Sequence, residues 1–343
     1  MKKPTYLVSF FGELTVGQPV GWVNGMAIKP QVVVVGSYVQ DLTWRCAAFP
    51  TAGQTIIGTF NDGPGGKGSN QAVAAGRAGG AVRFVGAVGR DAFARVAKEF
   101  YRENQITARW IEKPGQATGT AGILVNDEGQ NEIVVALGAN AKLTAGDLPA
   151  SLFKGAKLVV TQFETSLAAA AHALKAGRAA GATTVLNPAP MRADFKASIL
   201  RHVDVLIPNE TEFTELVNRL PATGRTDFTE TELATLDGGA LQGLCRALGV
   251  PVVIVTLGRR GCFVSTEERE VLIPAFVVKA VDTTGAGDAF VGGFCAGWCH
   301  FGGELVQAAM FGNAVAALSV TKRGTAPAMP RLAEVKRFLK QRA

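Results

Sequence analysis

Asp282-Thr283-Thr284-Gly285-Ala286-Gly287-Asp288 places small residues between two carboxylates, a spacing suited to phosphoryl transfer. An apolar, strand-like run, Phe276–Val281, precedes it, and a helix-like run, Ala289–His300, follows. A strand, a tight glycine turn and a helix start make an anion site. The first N–H groups of a helix lack intrahelical partners, and the helix dipole favours negative charge there. Small residues let a phosphate approach the backbone. A carboxylate fixed beside that site, Asp288, can take the proton of an attacking hydroxyl. A glycine turn alone is also what many strand–helix junctions use, so the chemistry rests on other segments agreeing.

Gly63-Pro64-Gly65-Gly66-Lys67-Gly68-Ser69-Asn70 is a second glycine-rich run. It is not a P-loop, which needs glycine where Asn61 stands and Ser or Thr where Gly68 stands. The dinucleotide pattern fails as well, because Gln71 occupies the third glycine position; a nicotinamide-dependent oxidoreductase is therefore disfavoured. A Gly-Gly turn can instead set backbone N–H groups and the Asn70 amide against a polyhydroxylated ligand. The plainer alternative is a helix-entry turn.

These segments need a scaffold. Gln31–Gly36 reads as a buried strand, and further short apolar runs follow at Val82–Val88, Leu158–Thr161, Thr183–Leu186, Val205–Ile207 and Val252–Leu257. Helix-like segments separate them: Ser69–Ala78, Ser166–Ala180 and Leu233–Leu248, each followed by glycine. Alternating strands and helices predict an α/β fold with a mostly parallel sheet covered on both faces. Two regions, 42–60 and 117–136, break the alternation. They hold strand-like pieces (Thr55–Phe60, Gly119–Val125, Asn131–Ala136) without helices between them, as a small β lid over the site would. Residues 1–30 read as an extension outside the fold, and 31–343 as one domain.

The chain has 343 residues, 48% apolar and 18% charged, with a net charge of +7. No apolar run is long enough to span a membrane, and Glu13 with its polar neighbours breaks a signal-peptide core. The basic residues are dispersed, which suits a small anionic ligand better than nucleic acid. Five cysteines show no paired or zinc spacing and predict thiols in a reducing cytoplasm. Three scattered histidines disfavour Ser/His/Asp and Cys/His catalysis.

The Gly-Gly-Lys-Gly-Ser-Asn-Gln-Ala run (65–72) and Asp282–Asp288 together resemble the two hallmark motifs of the ribokinase (PfkB) sugar-kinase family. The resemblance runs from about Val32 to the C-terminus. Gly36–Asp41, Gly86–Asp91, Asn187–Pro190, Pro208–Glu212 and Thr256–Gly261 match in order. It implies a three-layer α/β/α fold with a β lid, and an ATP-dependent kinase acting on the primary hydroxyl of a pentose. Asp288 is then the general base, and Gly285, Ala286 and Gly287 form the anion hole. Asp41, Gly66, Lys67, Asn70 and Glu164 hold the sugar hydroxyls. Asn209 and Glu212 support magnesium, largely through water, although a capped helix start explains that pair equally well. The ATP site takes Thr256, Leu257, Gly258, Arg259, Arg260 and Gly261, with Gly287 at the phosphates and Asn313 on the adenine side. A potassium ion would lie among Asp282, Thr284, Ser319, Lys322, Gly324 and Ala328. Relatives pair their lids, so the resemblance also implies a homodimer.

The match departs at Val39, where ribokinases usually carry asparagine. A hydroxyl left unpaired there costs on the order of 1–3 kcal/mol. Val39 suits a sugar lacking that hydroxyl, such as 2-deoxyribose, unless Tyr38 or Trp44 reshapes the pocket. Ribose, deoxyribose, a nucleoside or fructose remain open as acceptors, with Trp44 and Phe49 able to stack on a base. A sugar-binding protein without turnover is the reading from a different class.

Overall fold

The computed structural model describes residues 31–342, together with two short strands, β1 (Trp22–Val23) and β2 (Met26–Ala27), paired antiparallel. The expected extension otherwise lies outside the described residues. Next along the chain are β3 (Val32–Val35), β4 (Val39–Arg45), β5 (Thr59–Gly65), α1 (Lys67–Arg77), β6 (Val82–Val88), α2 (Ala92–Glu103), β7 (Thr107–Glu112), β8 (Gly119–Val125) and β9 (Asn131–Ala136). The second half contains β10 (Leu158–Thr161), α3 (Leu167–Ala179), β11 (Thr183–Leu186), β12 (Val205–Leu206), α4 (Glu210–Arg219), α5 (Glu230–Thr235), α6 (Gly238–Ala247) and β13 (Val252–Thr256). It closes with β14 (Cys262–Ser265), β15 (Glu270–Ile273), α7 (Ala286–His300), α8 (Leu305–Ser319) and α9 (Leu332–Lys340).

Nine strands form the central sheet in the order β15-β14-β13-β12-β11-β10-β3-β6-β7. It is parallel except for β14, which runs antiparallel to both neighbours. The inner strands of such a sheet are buried on both faces, which is why β3, β10, β11, β12 and β13 are rich in valine and leucine. Residues of β3 alternate between two cores. Val32 and Val34 pack with α1, α7 and α8, whereas Val33 and Val35 pack with α3. The result is three layers, helix on sheet on helix.

The second sheet has four strands in the order β5-β4-β8-β9. It begins at Val39 and includes Gly63–Gly65, so it is larger than the expected 42–60 and 117–136 regions. The strand placed at Thr55–Phe60 lies instead at Thr59–Gly65, where Gly65 pairs with Val39 and Pro64 with Gln40.

Two other expectations are corrected. Leu233–Leu248 is two helices, because Asp237 starts a new one by accepting from the Ala240 N–H at 2.8 Å. Phe276–Val281 forms no strand: β15 stops at Ile273, and Pro274 brings no N–H to continue a ladder. The segment is held instead by side-chain packing of Phe276 and Val278 on the core, and at its end the Val281 and Asp282 N–H groups donate to the Val320 carbonyl at 2.7 and 3.2 Å.

Candidate active site

The site forms where the strand order reverses. β3 is followed along the chain by β6 on one side of the sheet and flanked by β10 on the other, and ligands gather at the C-terminal ends of such strands. Ser37, just past β3, donates to Glu164 Oε2, just past β10, at 2.6 Å. The same oxygen accepts the Lys67 N–H at 2.8 Å. Asn140 fixes the Ser37–Val39 turn by accepting the Tyr38 N–H at 3.2 Å and donating to the Tyr38 carbonyl at 2.7 Å. Gly66 sits at φ 89°, and a β-carbon there would lie 2.6 Å from the Val39 nitrogen. The turn's N–H groups thus hold Glu164 and Ser37 rather than facing an open site as expected, and the Ser69 N–H bonds the Ser37 carbonyl at 2.8 Å.

Asp288 lies in the first turn of α7 and is buried. Asn70 donates to its Oδ2 at 2.9 Å and Gln71 to its Oδ1 at 3.0 Å. Asn70, expected on the sugar alone, is therefore also engaged with the base. Its own Oδ1 is buried and has no partner among the described residues, so it is left to accept from a ligand. Burial pushes Asp288 above the usual carboxylate range, against the pull of Lys67, Asn70 and Gln71. Burial lowers Lys67, but Asp288, Glu164 and Glu212 outweigh it and leave the ammonium above its ordinary value. Lys67 thus balances three carboxylates.

Gly285 takes the left-handed conformation, φ 77°, that starts α7. The N–H groups of Gly285, Gly287 and Asp288 have no acceptor among the described residues. A β-carbon at Gly287 would meet nothing within 4 Å, so protein packing does not require glycine there. Open donors at a helix start with space above them fit a phosphoryl group.

Strand β4 carries Val39 and Asp41 on one face, since side chains alternate along a strand. Tyr38 belongs to the other face: its hydroxyl donates to Gln40 Oε1 at 2.7 Å and its ring meets Trp110 edge-on. Trp44 shares that parity and packs on Phe60 with ring centroids 5.2 Å apart. Both therefore lie on the face of β4 opposite to Val39 and Asp41. Thr325 donates to Asp41 Oδ2, at 3.2 Å. Burial, with Glu164 and Asp288 nearby, raises Asp41 to about 7 despite that bond.

On the other side of Asp288, Asn209 and Glu212 form a capping box at the start of α4, with bonds of 2.8 and 2.9 Å. Glu212 is buried, which raises its pKa against the Asn209 N–H and Lys67. Thr256 ends β13, and its N–H donates to the Pro208 carbonyl at 2.9 Å. Leu257 turns into the core, while Gly258, Arg259 and Arg260 are exposed around a short 3-10 turn that closes at Gly261. Asn313 donates to the Ile273 and Pro274 carbonyls, both at 3.3 Å.

Asp282 accepts the Thr284 and Gly324 N–H groups, each at 3.0 Å. Burial would raise this carboxylate, but those bonds prevail and hold it low. Ser319 donates to the Ala316 carbonyl at 2.8 Å, and the Lys322 ammonium pairs with Glu334 at 2.6 Å, so Lys322 has only its backbone to give a cation. Ala328 ends the 3-10 turn Ala326–Ala328. Ser37, Gln71, Asn187 and Thr325 join the site although neither their types nor their spacing mark them as site residues in the sequence. A glutamine in an alanine-rich, core-facing helix was the available signal for Gln71.

The family model for pfkB family carbohydrate kinases matches residues 29–332. A ribokinase of Mus musculus is 37% identical over 306 residues, covering 87% of this chain and 91% of that protein. A deoxyribokinase of Salmonella typhimurium is 34% identical over 313 residues, 90% of this chain and 98% of its own. The solved ribokinase of Arabidopsis thaliana, complexed with ribose and ATP, superposes with a TM-score of 0.80 at 28% identity, over 91% of this chain and 99% of that one. With the glycine turn, its buried carboxylate and the doubly wound sheet in place, this chain belongs to the pfkB family of carbohydrate kinases.

Proposed function

We propose that this enzyme transfers the γ-phosphoryl group of ATP to the 5-hydroxyl of a pentose, with D-ribose as the acceptor. The observation that carries it is Asp288, buried and gripped by Asn70 and Gln71, beside the open N–H groups of Gly285, Gly287 and Asp288 itself. The 5-oxygen bonds to the γ-phosphorus, the bond to the β–γ bridging oxygen breaks, and the hydroxyl proton passes to Asp288. The open N–H groups of Gly285, Gly287 and Asp288 face the charge gathering on the transferred group, while Ala286, whose N–H the Thr283 carbonyl takes at 3.2 Å, contributes only its small size. Asp41, Glu164 and the free Asn70 Oδ1 accept from sugar hydroxyls, with Gly66 and Lys67 lining the same pocket.

Thr256–Gly261 and Asn313 take the nucleotide end. Magnesium, when bound, neutralises phosphate charge. A buried carboxylate, Glu212, set near Lys67 beside an amide, Asn209, fits a hydrated ion held through water. Asp282, held ionised, fits a potassium site with backbone groups of Thr284, Ser319, Lys322, Gly324 and Ala328. Val39 supports a second reading, 2-deoxyribose, because it offers no partner to a ring hydroxyl.

The four-stranded sheet is the lid, and residues 31–343 form the kinase domain. Among the described residues the edge strands of that sheet, β5 and β9, each pair on one side only, and β9 exposes Ile133, Val134 and Val135. Pairing of two lids would cover them, and light scattering then returns twice the chain mass. No helix among the described residues is long and apolar enough to cross a membrane, and the five free thiols fit a reducing cytoplasm.

The test is a coupled ATPase assay over a sugar panel with added potassium, on the wild type and Asp288→Asn. The variant should lose about a hundredfold to ten-thousandfold in kcat, the worth of a general base. Full turnover by Asp288→Asn refutes the assignment.

A further inference from the structure

Gln71 joins the two ends of the site. Its amide nitrogen donates to Asp288 Oδ1 at 3.0 Å and to Asn187 Oδ1 at 2.9 Å, and its amide oxygen accepts from Gln162. Asn187 in turn donates to the Ile207 carbonyl at 2.9 Å and reaches Glu212 Oε2 at 3.5 Å. Gln71 and Gln162 are fully buried, and Asn187 nearly so. These contacts permit one orientation of the Gln71 amide. Turned over, its oxygen would face two acceptor oxygens and its nitrogen a donor. A buried amide is costly unless its groups are matched, and the stretch of α1 that follows Gln71, Ala72–Ala75, is small and apolar. Packing alone would be met by leucine or methionine.

We propose that Gln71 is a positioning residue for the reaction. It sets the rotamer of Asp288 and, through Asn187, ties that carboxylate to Glu212 on the phosphate side. Gln162 locks the Gln71 amide in the orientation that does this. The inference rests on Asp288 being the base.

Gln71→Met keeps the length of the side chain and removes the amide. Its kcat should fall about tenfold to a hundredfold, the effect of slight misplacement at a reacting centre. KM for sugar and for ATP should change by less than about threefold, since binding contacts remain. The acid limb of the kcat/KM profile should move to higher pH, because an N–H favouring the carboxylate is gone. Introduced into Asp288→Asn, the same change should cost little more, as residues acting as a unit are non-additive.

A merely structural Gln71 would lower Tm without moving the pH limb. An unshifted limb with wild-type kcat, alongside an inactive Asp288→Asn, overturns the proposal. So does an equal loss in both backgrounds. Full activity of Asp288→Asn would instead remove the base assignment itself. If Gln71→Met does not fold, Gln162→Met frees the amide without touching Asp288. It should lower kcat and move the limb the same way, and wild-type behaviour there counts against the proposal.

Discussion

The Thr325 hydroxyl bridges Asp41 Oδ2 and the Pro64 carbonyl, both at 3.2 Å, and so fastens two strands of the four-stranded sheet to the segment that follows Gly324. Gly324 is itself held by Asp282 at 3.0 Å. Strands β4 and β5 are thereby connected to the loop that leads into the anion hole. Thr325→Val keeps the shape and removes the donor. KM for the sugar should rise about tenfold, the upper end of what one hydrogen bond contributes, with a smaller change in kcat. Steady-state kinetics with the sugar varied will decide it; an unchanged KM refutes the link.

Asp41 gives a pH prediction of definite sign. Its pKa rises from 3.8 to about 7 on folding, so the folded protein favours the neutral form. The stability this contributes is complete below the unfolded value and is lost as pH climbs toward about 7. The Tm of the wild type, relative to Asp41→Asn, should therefore fall between about pH 4 and about pH 8. Thermal melts of both proteins across that range test it, and a constant difference contradicts it.

Gly287 separates function from folding. Its β-carbon would enter open space, and alanine is favoured over glycine within a helix by roughly 0.5–1 kcal/mol. Gly287→Ala should keep or slightly raise Tm while lowering kcat about tenfold or more by crowding the phosphoryl group. A loss of Tm with retained kcat would assign the glycine to structure instead.

Val39 gives a prediction about the sugar. The wild type should prefer D-ribose over 2-deoxy-D-ribose by less than about a thousandfold in kcat/KM. Val39→Asn should raise that preference by about tenfold through the restored hydrogen bond. An unaltered ratio would show that this face of β4 does not read the hydroxyl.

Much of this was legible in the residues. Mostly apolar runs such as Leu158–Thr161 and Thr183–Leu186 match their strands end to end, because a strand buried on both faces favours β-branched and apolar residues throughout. β7 and β15 are hard to read from the residues, being edge strands with exposed charged residues such as Arg109 and Glu270, and the four-residue β14 is short. The motif residues stood out because phosphate and sugar chemistry restricts both type and spacing. Gln71 did not, since its role depends on Asn187 and Gln162, which only folding brings within reach. The faces of β4 were likewise set by pairing, which separated Tyr38 and Trp44 from Val39.

The strand order has a wider consequence. Ser37, Glu164, Asn187, Asn209 and Thr256 lie at the ends of β3, β10, β11, β12 and β13, five neighbours in the sheet. With about 4.8 Å between strands, that row spans roughly 19 Å. On the proposed assignment, acceptor choice is made at one end and donor choice at the other, on separate segments of chain. Such an arrangement lets a lineage exchange one sugar for another by editing residues near β4 while the nucleotide machinery is inherited intact.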